Sequence, residues 1–430
     1  MPLPYRSYRE SSRASNGSAL SCAAPAADAS PRPMVLLQGT TPSHRPEQRR
    51  VCCSDGMDSS RDSRGIECQS RLDPRELWGG GAHVQEHTTI GVDLAKSVFE
   101  LAVSDRPGAV SLRRRLTRGQ FSSFLAARAP ATIVMEACGT AHFWGRTAQS
   151  YGHRVVLLPP HAVRPYVLRN KTDGADARAL LEALRNDALC AVPVKSVDQH
   201  VLAALHRMRS GWMATRTARL NTVRGLLREL GIAIPVGATR VVPAVRALCA
   251  QGDAALPAPL RLVLRDAAAE IGELETRMRA LERSLEALAS DNQIVSRLRT
   301  VPGVGLLTAT ALVAFVGDVA RFPSGRHFAS YLGVTPRESS SGLKRKLGRI
   351  SKRGDPYLRM LLIHGARSVL THAKRSNAPR DGLRSWALAR ETARGHNKAA
   401  VALANKLARI VWAVWRNEQP FRLREEEASP

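Results

Sequence analysis

The chain has 430 residues, with 64 Lys and Arg against 37 Asp and Glu for a formal charge of +27 and a pI near 11.0. That length allows two or three domains, each able to bury a core, and the basic excess points to a polyanionic partner. No window approaches 18 uninterrupted apolar residues, so no membrane partner is expected, and an aromatic content of 5% argues against a surface built mainly on base stacking.

Of the seven cysteines, Cys22, Cys52, Cys53 and Cys68 fall in a Ser-, Arg-, Pro- and Gly-rich segment over 1–86, and no Cys-x-x-Cys pair occurs. Neither a disulfide framework nor a zinc site follows, and with no secretory signal the expectation is a reducing bacterial cytoplasm, with action at the nucleoid. Residues 1–86 lack the apolar periodicity needed to offset the entropy of ordering. They read as a disordered basic leader or as a mis-assigned start, the true one lying near Met57.

Ordered structure is expected from Thr88. Thr88–Asp93 and Lys96–Val103 are β-rich, Ser104-Asp105-Arg106-Pro107-Gly108 breaks the chain, and Val110–Leu116 returns as a third strand. A helix over Gly119–Ala127, an apolar strand 131–135 ending at Glu136, a helix through Tyr151 and a strand over His153–Leu158 complete an α/β layer with a mixed sheet. Lys171-Thr172-Asp173-Gly174-Ala175-Asp176 then opens a helix after the basic run Arg169, Asn170 and Lys171. Asp173 and Asp176, three apart, project from one helix face. Alone, such a pair is most often a solvated helix start favoured by the helix dipole.

Beyond Asp176 the pattern is almost wholly helical. Leu220, Val223, Leu227 and Leu230 share a face that Gly231 terminates, and an irregular stretch with Pro235, Pro243, Pro257 and Pro259 follows. Leu264, Ala267, Ile271, Leu274, Met278, Leu281, Leu285 and Leu288 repeat at 3-4 spacing between charged flanks, which reads as a coiled coil forming an antiparallel hairpin or a dimer. Around Pro302-Gly303-Val304-Gly305, two helical segments form either a helix-hairpin-helix, its Gly303 and Gly305 turn offering backbone N–H groups to a phosphate, or a plain helical corner. Between Leu343 and Arg359 stand Lys344, Arg345, Lys346, Arg349, Lys352, Arg353 and Arg359 against one acid, Asp355, with Gly342, Gly348 and Gly354 expected to keep the stretch a phosphate-gripping loop. Leu403, Leu407, Ile410 and Val414 mark a core helix, and Glu425–Glu427 a solvated tail. His142, His153, His364 and His396 read as polar core or surface residues, not as ligands.

Asp93 and Glu136 sit among apolar strand neighbours, where isolated carboxylates are expensive. Together with Asp173 and Asp176 they make a hard-oxygen set suited to Mg²⁺ or Mn²⁺, and two such ions can activate a nucleophile and stabilise a leaving oxygen at a phosphodiester.

An Asp on the first strand, a Glu ending a middle strand and a later Asp-x-x-Asp helix resemble the ribonuclease-H-like (RuvC-like) fold of Holliday-junction resolvases. The full series is more specific: Ile90–Lys96, Met135–Thr140, Asn170–Arg178, Val301–Gly305, Tyr331–Pro336 with Ser341-Gly342, and Ile350–Gly354. It resembles the DEDD-type insertion-sequence transposases related to the pilin-gene invertases, over roughly residues 88–420. The resemblance implies a resolvase-like domain over 87–195, a coiled-coil linker over 196–296 that makes a dimer or tetramer, a C-terminal domain over 297–420 and a tail over 421–430. It implies Asp93, Glu136, Asp173 and Asp176 as metal-binding catalytic acids and a serine nucleophile at Ser341, with Ser340 a rival and Ser339 a weaker one. It also implies a guide RNA from the element, alongside DNA ends and target as partners. Two other readings stand beside it: a metal-dependent junction endonuclease without a covalent intermediate, and a non-enzymatic nucleic-acid binder.

Overall fold

The computed structural model describes residues 88–106, 109–167, 172–186, 189–251, 256–342, 344–375 and 382–422. The expected leader, the lead-in Arg169, Asn170 and Lys171, and Glu425–Glu427 of the tail lie outside the described residues.

The first part is a mixed sheet of β1 (Thr89–Leu94), β2 (Val98–Ser104), β3 (Leu112–Thr117), β4 (Thr132–Glu136) and β5 (Arg154–Leu158), in the order β3-β2-β1-β4-β5. The three N-terminal strands form an antiparallel meander, and β4 and β5 join parallel to β1. One face packs on α1 (Arg118–Ala126) and α2 (Ala141–Ser150) through Ile90, Val92, Phe99, Leu101, Ile133 and Met135. Phe99, Phe121 and Trp144 meet there edge to face, with centroids 5.0–5.3 Å apart. Thr117 starts α1 with a capping box to Gln120. The other face packs on α3 (Asp173–Leu184), whose N-cap is Thr172, its hydroxyl accepting from the Ala175 N–H.

A mostly helical region follows. Two 33-residue helices, α4 (Val197–Glu229) and α6 (Ala258–Ser290), pack together, and the pairs Arg209–Glu282, Arg216–Glu275 and Arg219–Glu270 run in opposite sequence directions, which makes the pair antiparallel. Within one chain the heptad stripe therefore serves a hairpin. The buried stripe of α6 differs from the expected one at two places: Ala268 and Ala289 point inward, whereas Leu288 is 49% exposed. A helix with 3.6 residues per turn drifts against a strict 3.5 repeat, so the contact line slides by one position. The irregular stretch contains a helix that the prolines hid, α5 (Val241–Ala250), with Pro243 in its first turn, where the missing N–H has no intrahelical acceptor to lose.

The C-terminal core is built from α7 (Gln293–Leu298), α8 (Leu306–Val316), α9 (Gly325–Tyr331), α10 (Pro356–Arg375), α11 (Gly382–Arg394) and α12 (His396–Arg416). Where a loop was expected, β6 (Pro336–Glu338) and β7 (Leu347–Ile350) form an antiparallel ribbon. No described helix is long and apolar enough to cross a membrane.

Of the histidines, His153 is buried, its Nδ1 accepting from the Ala131 N–H and its Nε2 donating to the Leu125 carbonyl. The Nδ1 of His142 accepts from the Lys195 N–H, His364 is exposed, and His396 pairs with Glu391. His206 ties α4 to the C-terminal core. The Thr310 hydroxyl donates to the Leu306 carbonyl, so it accepts from Nε2 of His206, leaving Nδ1 to accept from the Tyr357 hydroxyl, each contact at 3.0 Å. Burial pushes His206 down to about 4 and, with help from Lys195, His142 likewise to about 4. The unfolded chain takes up protons near the ordinary imidazole pKa of about 6.5 while the folded chain does not, so stability present above that value is lost as pH falls towards 4. His206 alone is expected to cost roughly 2 kcal/mol at pH 4.5. Urea midpoints measured between pH 7 and 4.5 should fall steeply for the parent and less steeply for His206→Gln.

Candidate active site

Strand alternation assigns each acid to a side of the sheet. Ile90, Val92 and Met135 enter the core under α1 and α2, whereas Val134 and Ala102 pack against α3. Asp93 and Glu136, at the C-terminal ends of adjacent parallel strands, therefore share the α3 face. Gly91 explains how α3 comes so close: a Cβ there would stand 2.4 Å from the Ala177 carbonyl oxygen, so only glycine lets the helix backbone rest on β1. Asp176 adjoins Ala177, and Asp93 is the next residue outward from Gly91 on that face. Asp173 is exposed, while Asp93, Glu136 and Asp176 are half-buried.

The acids share a face, not a closed cage. Among the described residues, no three His, Cys, Asp or Glu side chains are gathered tightly enough to enclose an ion. The donor chemistry fits a hard divalent cation, because the set is all carboxylate and contains no thiolate or imidazole.

One residue on this face escaped the sequence reading. The β1–β2 register places Glu100 directly opposite Asp93, and Arg115 directly opposite Glu100. The Arg115 Nε stands 3.4 Å from Glu100 Oε1, so a row Asp93, Glu100, Arg115 crosses the sheet. The signal lay in the hairpin arithmetic, since both acids are equidistant from the turn at Lys96-Ser97.

In the C-terminal region the basic stretch divides. Lys344, Arg345, Lys346, Arg349, Lys352 and Arg353 are exposed on or beside the β6–β7 ribbon. Arg359 is not a surface cation: it is 9% exposed in α10, donating to the carbonyls of Leu332 and Gly354, which lie on the chain entering and leaving the ribbon. Ser340 and Ser341 also differ. The Ser340 hydroxyl donates to Glu338 Oε1 at 2.7 Å and accepts from the Lys346 N–H at 3.2 Å. Ser341 is bridged through its backbone to Lys344, is exposed, and its hydroxyl bonds no other described residue. The ribbon's hydrogen bonds run to its own strands and to α9 and α12 beneath its base, and none of them carries Ser341 to the acids.

Gly303 and Gly305 sit in the turn between α7 and α8. A Cβ on Gly303 would stand 2.7 Å from the Gly365 carbonyl oxygen, so that glycine admits α10 against the turn. Gly305 is the N-cap of α8, in a shallow depression that Arg299 and Arg384 also line.

A sheet bearing carboxylates on one face, followed by a helical region with an exposed basic ribbon, is the make-up of a DNA-processing enzyme and is compatible with the ribonuclease-H-like class. Residues 90–232 match the DEDD transposase domain of the IS110 type, and residues 295–380 match the transposase domain of the IS116/IS110/IS902 family. A "Probable family 20 transposase" of Pseudomonas aeruginosa is 43% identical over 77% of this chain and 98% of its own length. The transposase for insertion sequence element IS1111A of Coxiella burnetii is 39% identical, over 77% of this chain and 91% of its own. A pilin gene-inverting protein of Moraxella bovis is 24% identical, over 79% and 99%. The chain belongs to the IS110 family of DEDD transposases. A DEDD domain implies a divalent metal in general, which agrees with the donor set on the α3 face.

Proposed function

We propose that this transposase excises and inserts its element through a phosphoserine intermediate, with Ser341 as the nucleophile and Asp93, Glu136, Asp173 and Asp176 holding Mg²⁺. The observation that carries the choice of serine is the contrast of hydroxyls: Ser340 is engaged on both sides and Ser341 is not. The Ser341 oxygen forms a bond to phosphorus as the bond from phosphorus to the leaving deoxyribose oxygen breaks. A carboxylate takes the serine proton, and the leaving oxygen receives one. The ester conserves the bond energy, so rejoining is the reverse attack and no external energy source is needed. Mg²⁺ at the four acids would supply charge stabilisation at the phosphodiester.

Because the ribbon and the acids keep separate bonds within one chain, the reading includes a composite site, one copy giving the serine and another the acids. The outer surface of the antiparallel α4–α6 hairpin, whose apolar stripe is already buried within the chain, is the proposed dimer or tetramer contact. Lys344, Arg345, Lys346, Arg349, Lys352 and Arg353, with the turn at Gly303 and Gly305, grip backbone phosphate and carry no sequence information. Target choice is assigned to base pairing with an element-encoded RNA.

A suicide DNA substrate tests the chemistry. The parent and Ser340→Ala should form a covalent protein–DNA adduct, and Ser341→Ala should not. Cleavage without adduct in all three would replace this reading with hydrolysis by the acids alone. An adduct surviving Ser341→Ala but lost in Ser340→Ala would move the nucleophile by one residue.

A further inference from the structure

β3 is the edge of the sheet, and its sequence Leu-Arg-Arg-Arg-Leu-Thr is exposed along almost its whole length. Edge strands often carry charge simply to block pairing with other chains. The placement of these arginines goes further than protection requires. Arg113 lies opposite Ala102, which packs against α3, so Arg113 leaves β3 on the face that bears the acids, as does Arg115 two residues on. Arg115 is paired with Glu100. Arg113 instead reaches the start of α3, where its Nη1 stands 3.8 Å from the position a Cβ on Gly174 would occupy. Arg178, one turn along α3 from Gly174, lines the same shallow depression as Arg113, together with Val110, Ser111 and Leu112. Asp173 adjoins Gly174 and Asp176 lies two residues on, yet neither Arg113 nor Arg178 forms an ion pair with any described residue. Two guanidinium groups with no acidic partner among the described residues therefore line one depression at the start of the helix that carries Asp173 and Asp176.

We infer that this depression seats a backbone phosphate of the DNA strand that passes to the acids, with Arg113 and Arg178 as its two grips. A planar guanidinium offers a phosphate two parallel N–H donors, which a lysine cannot reproduce. Gly174 leaves the space between the two side chains open. The seat fixes the strand next to the carboxylates without reading bases, so it acts on affinity and register, not on sequence choice. The inference rests on the acids being the cutting centre, and it extends that reading from the acids to the path of the strand.

The test is nucleic-acid binding by the full chain in EDTA, where no cutting occurs, measured against salt concentration for an element-end DNA duplex, a DNA single strand of the same sequence and the matching RNA strand. Losing two phosphate contacts in Arg113→Gln/Arg178→Gln should weaken binding on the order of tenfold at low salt and flatten the slope of log affinity against log salt by about 1.5. Arg113→Lys/Arg178→Lys should keep most of the slope, because both charges remain. Both pairs are exposed, and circular dichroism checks that they fold. Unchanged affinity and slope in the glutamine pair would overturn the proposal and leave the edge arginines as aggregation guards. A loss confined to single-stranded RNA of the same sequence would equally overturn the assignment to DNA. Because no adduct is needed, a parent chain that forms none in the suicide assay would sink the phosphoserine chemistry without deciding this one.

Discussion

Asp93→Asn should lower metal-dependent strand cleavage by roughly 10²–10⁴-fold, the range over which single catalytic acids and bases act. Its place in the sheet adds a second, separable effect. Asp93 and Glu100 are directly opposite across the β1–β2 pair, and like charges so placed repel. Arg115 pairs with Glu100, the outer member of that row. A double-mutant cycle in EDTA of Asp93→Asn with Glu100→Gln should return a repulsive coupling of about 0.2–1 kcal/mol between the two acids. A fold that tolerates such repulsion fits a face kept ready for a cation, with stability given up for function. The coupling is read from thermal midpoints in EDTA and the activity from cleavage rates with Mg²⁺. A cycle that returns no coupling, or an attractive one, would overturn the opposition of the two acids. Asp173→Asn, on the exposed first turn of α3, should lose cleavage similarly with little change in midpoint, and RNA binding should persist in both.

Much of the fold was legible because its signals are local. β-rich and apolar runs marked β1, β2 and β4, the Asp-x-x-Asp pair marked the start of α3, and the apolar stripe marked α6. What could not be read depends on partners distant in sequence. The inward turn of Ala268 and Ala289 in α6 follows from where α4 lies, and heptad counting knows nothing of that. Arg359 reads as one more cation in a basic run, yet it is buried because two carbonyls from different segments converge on it. Pro243 looked like a breaker until its place in a first turn removed the objection. Of the site, the acids were visible as charges among apolar strand residues, and their common face follows from alternation. Glu100 needed the register, and the difference between Ser340 and Ser341 needed the hydrogen bonds of the ribbon.

Gly354→Ala should abolish the covalent adduct although it leaves Ser341 and every acid in place. A Cβ at Gly354 would lie 2.0 Å from the Tyr331 carbonyl oxygen and 2.6 Å from the Leu332 carbonyl carbon, so the obstacle is backbone and no rotamer relieves it. The two segments crossing there are the end of α9, which leads into β6, and the chain leaving β7. Arg359 clamps the crossing by donating to Leu332 and Gly354, and the Lys352 N–H closes it by donating to the Gly333 carbonyl at 3.1 Å. Separating the segments breaks these bonds and leaves a buried guanidinium without its acceptors, a cost of about 3 kcal/mol or more. The ribbon then loses its fixed base, and Ser341 with it, so adduct yield should fall by about 10²-fold from misplacement alone. Gly342→Ala is the matched control. Gly342 adjoins Ser341 and has a φ of +55°, but nothing stands within 4 Å of its missing Cβ. Its cost should stay near 1 kcal/mol, the conformational penalty alone, and most of the adduct should remain. Equal losses in the two variants would mean that flexibility beside the serine governs the reaction; a loss confined to Gly354→Ala would locate its control at the clamp beneath the ribbon.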